Sequence, residues 1–235
     1  MVPWIGPEDP FPPVERALRD PNGLLCAGAD LSVARLVAAY QRGIFPWYSG
    51  AEPILWWSPD PRMVLFCDEL RISRSLAKNN RNKGYEVRVD TAFGDVLLGC
   101  ASSRRGSSAG GEAGTWLGED MRDAYTRLHR AGQAHSFECW HDGTLVGGLY
   151  GVAIGRMFYG ESMFSRATDA SKVALVALVD ELRRRGFPLI DCQVRTPLLA
   201  QLGGREIPRR EFLRRLRALV NYREPGGRWT RVPAQ

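Results

Sequence analysis

Two short segments carry polar side chains that could do chemistry in an otherwise apolar setting. In one of them, Asp191 and Gln193 flank Cys192 in a run of residues, 188–194, that favours a short buried strand. Residues i and i+2 of a strand share a face roughly 6.5–7 Å apart, so the carboxylate and the amide face one way and Cys192 the other. Such a pair can hold a hydrogen-bonded nucleophile in position, or it can satisfy backbone groups at a strand end. The spacing alone leaves both interpretations open.

The other segment is the predicted strand 157–165, in which Glu161 stands among aromatic and apolar residues. Burying a lone carboxylate is costly unless it has a partner or a function, so we expect this strand to form one wall of a substrate pocket. Ser162 is not expected to be a nucleophile, because the nucleophile-elbow motif requires glycine at the position of Phe164. Cys192 is not expected to be one either, because no histidine lies near it in the sequence.

The elements that must position these residues follow from the pattern after residue 135. It predicts strands over 135–140 and 144–154, the strand 157–165, a helix that Asp169 caps and Gly186 ends, the strand 188–194 and a basic helix beginning at Pro208. Two glycines in the second strand, Gly147 and Gly148, indicate a bulge or a close backbone approach. An antiparallel meander that crosses through a helix to another strand predicts an α+β fold with a mixed, mostly antiparallel sheet.

The chain before residue 135 is predicted to be less regular. Residues 1–30 are rich in proline and glycine and indicate an irregular packed segment. Between 44 and 62, three of the seven tryptophans lie among four prolines, which makes this segment either a core plug between two lobes or a preformed aromatic pocket wall. We place an N-terminal domain at 1–62, extending at most to about residue 90, and a catalytic domain at 63–235.

The middle of the chain predicts several shorter elements. They are a helix from 30 to 43, a strand at 63–66, a basic helix over 71–80, a strand over 85–89, a helix capped by Asp90, a flexible loop at 102–115 and a helix that ends at Gly132.

The bulk composition restricts the partners. A net charge of +6 and a pI near 9.3 favour an anionic partner, with nucleic acid ahead of membrane. No apolar run approaches the roughly 20 residues that a membrane-spanning helix needs, and no signal peptide is visible. The five cysteines include no Cys-x-x-Cys pair and the three histidines have no metal-ligand spacing, so we expect buried thiols in a reducing cytoplasm and no metal.

Long ordered motifs run through nearly the whole chain and carry a resemblance to a known family. They are Gly43-Ile44-Phe45-Pro46-Trp47-Tyr48, Trp56-Trp57-Ser58-Pro59-Asp60-Pro61-Arg62, Gly114-Thr115-Trp116, His135-Ser136, Val146-Gly147-Gly148-Leu149-Tyr150-Gly151, Gly160-Glu161-Ser162-Met163-Phe164-Ser165, Ala170-Ser171-Lys172 and Ile190-Asp191-Cys192-Gln193. In these motifs the chain resembles the bacterial leucyl/phenylalanyl-tRNA–protein transferases.

The resemblance implies a small N-terminal α/β domain and a C-terminal domain of the acyl-CoA N-acyltransferase (GNAT) superfamily. It implies an aminoacyltransferase that moves Leu or Phe, and less well Met, from Leu-tRNA or Phe-tRNA to the α-amine of proteins that begin with Lys or Arg. The new N-terminal residue marks the protein for degradation by the N-end rule. We expect a cytoplasmic monomer with no cofactor, no membrane association and no DNA partner.

The resemblance also assigns residues to the site. Asp191 and Gln193 become the catalytic pair, with Gln193 accepting or relaying a proton from the attacking amine and Asp191 orienting and polarising its amide. Glu161 is expected to bind near the aminoacyl adenosine and the incoming basic N-terminus. The other expected substrate-binding residues are Trp47, Trp116, Leu149, Tyr159, Met163, Ser165 and Ile190. The expected tRNA-binding residues are Arg71, Arg74, Lys78, Arg81 and Lys83.

Two rival functions remain. An acetyltransferase would cradle the pyrophosphate of coenzyme A in a glycine-rich turn before a helix, but the turn 166–171 has no glycine and contains Asp169, which would repel phosphate. A non-catalytic RNA-binding module would explain the charge, but it explains neither the Asp191/Gln193 pair nor the tryptophan- and proline-rich segment.

Overall fold

The structure is a computed structural model that describes residues 2–50, 52–102, 117–222 and 229, except for the side chains of residues 80–82. Two β-sheets organise it, a four-stranded sheet near the N-terminus and a seven-stranded sheet beyond it. The strands are β1 (Trp4–Ile5), β2 (Leu24–Gly28), β3 (Phe45–Pro46), β4 (Leu55–Trp57), β5 (Arg62–Phe66), β6 (Glu86–Val89), β7 (Ala134–His141), β8 (Thr144–Ile154), β9 (Met157–Ser165), β10 (Leu189–Gln193) and β11 (Arg205–Ile207). The helices are α1 (Val33–Tyr40), α2 (Arg74–Asn82), α3 (Phe93–Ser102), α4 (Glu119–Arg130), α5 (Ala170–Arg185), α6 (Pro197–Gln201) and α7 (Arg209–Leu219).

The seven-stranded sheet has the order β11-β5-β10-β9-β8-β7-β6. Its pairs are antiparallel except β9 with β10, which α5 connects as a crossover between parallel strands. This arrangement confirms the predicted α+β class with a mixed, mostly antiparallel sheet. It also makes β9 and β10, which carry Glu161 and Asp191, direct neighbours.

The two faces of this sheet pack against different elements. On one face α5 buries its apolar stripe against residues such as Leu149, Phe158 and Ile190. The other face carries Tyr150 and Tyr159 and packs against α1, α3, α4, α7 and the four-stranded sheet. Successive residues of a strand point to opposite faces, so each strand contributes to both cores.

The helix α5 packs so closely on the sheet that one strand position requires glycine. A Cβ at Gly147 would lie 2.6 Å from the Cβ of Ala170, the first residue of α5. Beside it, the register between β7 and β8 shifts where Trp140 pairs with Leu145. Both alternatives that the sequence offered for this glycine pair, a bulge and a close approach, are therefore present.

The first thirty residues are packed and largely irregular, as predicted, but the prediction missed the strands β1 and β2. β2 is a buried strand that pairs parallel with β1 and antiparallel with β4, and proline and glycine flank it without interrupting it. The segment 44–62 has a mixed character. Trp56 is fully buried against Phe11 in the core, whereas Trp47 is 41% exposed.

Of the two predicted aspartate caps, the one at Asp90 is wrong, whereas Asp169 is the N-cap residue of α5 but makes no capping hydrogen bond with its side chain. Asp90 has a left-handed φ of 59°, and its carboxylate accepts hydrogen bonds from the backbone N–H groups of Ser136 and Trp229. The backbone N–H groups that precede α3 bind Glu138 of β7 instead. Asp169 stands before α5 but also has a left-handed φ, 65°, and forms no side-chain cap.

The remaining predicted elements are confirmed within one to a few residues, although β3, β4, α6 and β11 are additional. The predicted loop at 102–115 lies outside the described residues apart from residue 102. No helix in the part of the chain that the structure describes is long and apolar enough to cross a membrane.

Candidate functional site

The polar residues Glu161 and Gln193 lie where the parallel ladder between β9 and β10 ends. This ladder contains the pairs Ile190 with Phe158 and Asp191 with Tyr159. Just beyond this ladder, the pairing register between β8 and β9 jumps over Glu161, which has no partner residue on β8. The register between β5 and β10 jumps over Cys192 in the same way. Each jump inserts an extra residue, and such bulges bend a strand and redirect its side chains. Two neighbouring strands are therefore bulged at the same level, just beyond the last pair of their ladder, and we call this place the opening between β9 and β10.

Asp191 is held in a buried ion pair. The Nε and Nη2 atoms of Arg62 donate to its two carboxylate oxygens at 2.8 and 2.7 Å, and the backbone N–H of Gln193 donates to one of them at 3.0 Å. The guanidinium lies between the rings of Phe45 and Phe212, 4.9 and 4.7 Å from their centroids. Neither partner is exposed to solvent. Because both oxygens are occupied, this carboxylate serves to fix the end of β10.

Gln193 differs from a regular strand residue. Its φ is 56°, in the left-handed region, so the alternation that placed it on the face of Asp191 does not apply beyond the bulge at Cys192. Its side chain is buried, and the amide Nε2 has no hydrogen-bond partner among the described residues. A buried amide without a partner is costly unless a ligand binds it. Asp191 therefore binds the backbone of Gln193 and leaves the side-chain amide available, contrary to the expectation that it polarises this amide.

Glu161 lies in a closed group of three oxygen-bearing side chains. The hydroxyl of Tyr40 is 2.8 Å from Oε1, the hydroxyl of Tyr125 is 2.7 Å from Oε2, and the two hydroxyls are 2.8 Å apart. When the carboxylate is ionised, the two tyrosine hydroxyls supply only two protons for the three oxygen–oxygen contacts. A proton on Glu161 completes the ring, because each group then donates once and accepts once. The geometry thus accommodates a protonated carboxyl as well as the ionised form.

The electrostatics of Glu161 agree with this geometry. Burial raises its pKa to about 7, the nearby charge of Asp191 adds to the increase, and the two tyrosine hydroxyls oppose it by stabilising the carboxylate. Burial and the charge of Glu161 in turn hold the pKa of both tyrosines well above the ordinary value. Among the described residues, Glu161 is therefore a carboxyl group that can change its charge near neutral pH.

The predicted substrate-binding residues divide between the two faces of the sheet. Tyr159 lies on the face of Glu161 and donates its hydroxyl proton to the backbone carbonyl of Tyr40 at 2.7 Å. Leu149, Met163 and Ile190 pack on the face that α5 covers. The opening between β9 and β10 is where a ligand could contact both groups.

Three further predicted substrate-binding residues lie elsewhere or outside the described part. Ser165 donates to the carbonyl of Ala167 and accepts from the backbone N–H of Ser171, so it stabilises the start of α5. Trp47 is exposed beside Trp57, whose ring centroid is 5.6 Å away. Trp116 lies outside the described residues.

The predicted tRNA-binding residues lie on and around α2. Arg71, Arg74 and Lys78 are exposed, and Lys83 lies 5.9 Å from the centroid of Tyr85. The side chain of Arg81 lies outside the description. α2 packs its Leu76 into the core on the α5 face, and its Asn79 donates to Asp169.

The start of α5 argues against coenzyme A. Asp169 there accepts hydrogen bonds from Lys172 and Asn79, which hold its pKa below the ordinary value and keep it negative. The hydroxyl of Ser165 occupies one of the backbone N–H groups that would otherwise bind an anion. In an acetyltransferase this turn binds pyrophosphate. In this chain Ser165 already binds one of its N–H groups, and the carboxylate of Asp169 lies in it.

Sequence reasoning missed three residues of the site, Arg62, Tyr40 and Tyr125. Arg62 opens a buried strand after a proline-rich segment, and a charged residue there requires a partner of opposite charge. Tyr40 and Tyr125 occupy apolar stripes of α1 and α4, and a buried tyrosine hydroxyl also needs a partner. These signals predict that partners exist without identifying them. No group of three or more histidine, cysteine or acidic residues that could hold a metal ion occurs in the described part of the chain.

Comparison with known proteins gives two family matches. The model described as leucyl/phenylalanyl-tRNA protein transferase matches residues 64–217, and the model of the N-terminal domain of that family matches residues 29–60. A Chromobacterium violaceum protein named leucyl/phenylalanyl-tRNA–protein transferase is 58% identical over 229 residues, which cover 97% of this chain and 96% of that one. A Thiobacillus denitrificans protein of the same name is 61% identical over 220 residues, 94% of each chain.

Solved structures show more distant likenesses. The structure of L-PGS from Bacillus licheniformis matches with a TM-score of 0.42 and 14% identity, over 69% of this chain and 52% of that one. A GCN5-related N-acetyltransferase from Kribbella flavida matches with a TM-score of 0.40 and 9% identity, over 74% and 60%. No statement about activity follows from similarity at this level.

Proposed function

Because this chain belongs to the leucyl/phenylalanyl-tRNA–protein transferase family, and is thus an aminoacyltransferase, we propose that it moves Leu or Phe, and less well Met, onto proteins that begin with Lys or Arg. The observation that carries the proposal is the opening between β9 and β10: Glu161 and Gln193 each lie two residues beyond the last ladder pair, Tyr159 with Asp191, and the amide Nε2 of Gln193 has no partner among the described residues. The product carries a new N-terminal Leu or Phe, which marks the protein for degradation.

The reaction is the attack of an amine on an ester that is already activated. The nitrogen of the α-amine forms a bond to the carbonyl carbon of the aminoacyl group, the bond from that carbon to the ribose oxygen breaks, and the proton lost by the amine ends on that oxygen. The enzyme therefore has to position the two groups and handle a proton rather than supply a nucleophile. Asp191 and Gln193 are the pair we assign to this task.

Gln193 and Asp191 have separate roles in this proposal. The side-chain carbonyl of Gln193 accepts a hydrogen bond from the attacking amine, and its Nε2, which has no partner in the described structure, donates to the substrate. Asp191 acts through Arg62 and the backbone N–H of Gln193, which keeps the left-handed bulge in place. A positioned amide is effective here because the chemistry needs orientation more than basicity.

Glu161 recognises the positive charge of the acceptor protein. The residue as a whole is half-buried, and Tyr40 and Tyr125 bind the two carboxyl oxygens and fix their orientation. A lysine or arginine side chain that reaches it would stabilise the ionised form by a charge-assisted hydrogen bond. The aminoacyl side chain and the terminal adenine are assigned to Leu149, Tyr159, Met163 and Ile190 of the two sheet faces, together with Trp47, Trp116 and Ser165.

The domain division belongs to the proposal as well. The N-terminal domain ends near residue 62, which is supported by the four-stranded sheet ending at Trp57 and the seven-stranded sheet beginning with Arg62. A cytoplasmic location is supported by the five buried cysteines, none of which forms a disulfide. We propose a monomer without DNA as a partner, and Arg71, Arg74, Lys78, Arg81 and Lys83 as tRNA contacts.

Transfer of labelled Phe from Phe-tRNA to a short peptide tests the proposed function. The expected product is the peptide extended by one residue when it begins with Arg or Lys. A peptide of the same sequence that begins with an acetylated Arg is the control, because it keeps the side-chain charge and lacks the attacking amine. Absence of product from Phe-tRNA, Leu-tRNA and Met-tRNA would reject the assignment.

A further inference from the structure

The last helix, α7, has an arginine-rich outer surface that the site described above does not use. Five of its eleven residues are arginine. Two of these stabilise the fold. Arg209 donates from its backbone to Asp60 and from its side chain to the carbonyl of Ser58, and Arg215 pairs with Glu211 on the same helix.

The other three arginines form a stripe, which we call the α7 stripe: Arg210, Arg214 and Arg217. Their spacing of four and three residues places them within roughly 60° of one another around the helix and over roughly 10 Å along it. All three are exposed, and in the described part of the chain none of their side chains forms a hydrogen bond or an ion pair. The acidic residue on α7, Glu211, is already occupied by Arg215.

A surface cavity extends the α7 stripe toward the N-terminal part of the chain. It has a volume of about 350 Å³ and is lined by Arg217 together with Arg42, Gln41 and Glu15, among apolar residues of α7. Arg42 is exposed and its side chain, like those of the stripe, forms no hydrogen bond or ion pair with the described residues. Glu15 offsets one of these charges, so the surface as a whole is positive.

The opposite side of the same helix lies against the reaction site. Phe212 of α7 stacks on Arg62, and Arg62 holds Asp191. Gly43 allows this approach, since a Cβ there would lie 2.9 Å from Leu213. A helix with its side chains is about 10–12 Å in diameter, so the α7 stripe stands about one helix diameter from the Arg62–Asp191 pair.

We propose that the α7 stripe, with Arg42, binds the phosphate backbone of the acceptor stem of the aminoacyl-tRNA. The proposal rests on the proposed function, which brings the aminoacyl end to Gln193. The acceptor stem next to that end must then lie a short distance from the site, and α7 exposes its arginines there. Arginine forks match phosphate geometry, and several of them along one helix suit a polyanion better than a single anion.

The α7 stripe is distinct from the basic surface of α2. α2 packs on the face that α5 covers, whereas α7 packs on the opposite face with Tyr40 and Arg62. The two surfaces therefore contact different parts of the tRNA, and the α7 stripe contacts the part nearest the ester.

The experiment compares two double variants that lose the same charge. The test variant is Arg214→Gln with Arg217→Gln. The control is Arg19→Gln with Arg130→Gln. These two control arginines are exposed, and their side chains form no hydrogen bond or ion pair in the described structure. Each is assayed with three donors: Phe-tRNA, a Phe-charged minihelix of the acceptor stem alone, and Phe-adenosine, which has no stem.

The proposal predicts that affinity is lost only for the donors that contain the acceptor stem. KM for Phe-tRNA and for the minihelix rises about tenfold in the test variant, and the slope of log affinity against log salt falls by roughly 1.5, as expected for two phosphate contacts. The parameters for Phe-adenosine, the KM for the acceptor peptide and the control variant stay at the wild-type values.

Four results would overturn the proposal: an unchanged KM for both stem-containing donors, a loss for Phe-tRNA that the minihelix does not share, an equal loss with Phe-adenosine or in the control variant, or an increase confined to the KM of the peptide. The last result would assign the surface to the acceptor protein. Transfer by the wild-type enzyme is measured in the same assays, so failure of this inference is distinguishable from failure of the proposed function.

Discussion

Asp191 and Glu161 are two carboxylates on neighbouring strands, and their surroundings give them opposite properties. Asp191 faces a guanidinium that donates to both of its oxygens, so the carboxylate is bound within the fold. Glu161 faces two neutral hydroxyls that complete a ring of hydrogen bonds when the carboxyl is protonated. A permanent cation makes a buried carboxylate a structural anchor, and neutral donors leave it able to respond to a ligand.

Breaking the Arg62–Asp191 pair is expected to have the largest effect. Arg62→Met leaves Asp191 buried and unpaired, which costs about 3–5 kcal/mol of unfolding free energy measured by urea titration. Arg205→Met is the control, because Arg205 forms a similar fork with Glu69 at the exposed surface and its loss costs less than about 1 kcal/mol.

The double variant Arg62→Met with Asp191→Leu separates folding from catalysis. Apolar replacement of both partners removes the unpaired charge and restores most of the stability. The single-turnover rate stays about 100-fold below wild type, because the bulge at Gln193 loses its anchor. A double variant with near-normal rates would show that Asp191 has no positioning role.

Glu161→Gln tests the second carboxylate. This variant keeps the shape and loses the charge, so KM for an Arg-initiated peptide is expected to rise about tenfold or more, while kcat changes little. A loss confined to kcat would place Glu161 at the chemical step instead.

The pH dependence of binding sharpens the same comparison. The pKa of about 7 for Glu161 means that its negative charge is lost as the pH falls through 7. KM for the basic peptide should therefore rise below that pH, by up to about tenfold per unit. The α-amine of the peptide titrates in a nearby range, so the Glu161→Gln profile is subtracted. Superimposable wild-type and variant profiles would contradict the assignment.

The smallest predicted effect is that of one hydroxyl. Tyr125→Phe removes a donor that stabilises the ionised form of Glu161, so the midpoint of the KM profile should move upward by about one pH unit. Tyr48→Phe is the matched control, because Tyr48 donates to Asp120 and not to Glu161. A downward shift of this midpoint in Tyr125→Phe would mean that the hydroxyl of Tyr125 does not stabilise the ionised form of Glu161.

The elements of the fold could be predicted where one residue pattern decided them. The apolar stripe and the left-handed Gly186 determine α5, and turn signals separate β7, β8 and β9. β2 could not be recognised, because its evidence is its pairing with strands that are distant in sequence. The residue pattern identified Asp191, Gln193 and Glu161 as candidates, and the resemblance supplied their roles and the other substrate-binding residues. Strand alternation would already have placed Leu149 and Tyr150 on opposite faces.

The properties of the site depend on contacts that no local pattern encodes. The bulges at Glu161 and Cys192 are mismatches between two strands, and neither strand shows them alone. Arg62 is 129 residues from Asp191 in the chain, and Tyr40 is 121 residues from Glu161. The sequence indicated that each of these buried polar groups needs a partner, and the fold selects which partner it receives.

The titration of Glu161 tests the central claim most directly. Carboxyl ¹³C NMR of the enzyme labelled at glutamate would follow this group, with its signal assigned by its absence in Glu161→Gln. The difference between the two carboxylates predicts a midpoint at about 7 for Glu161. A midpoint at or below the ordinary glutamate value of about 4.3 would contradict it.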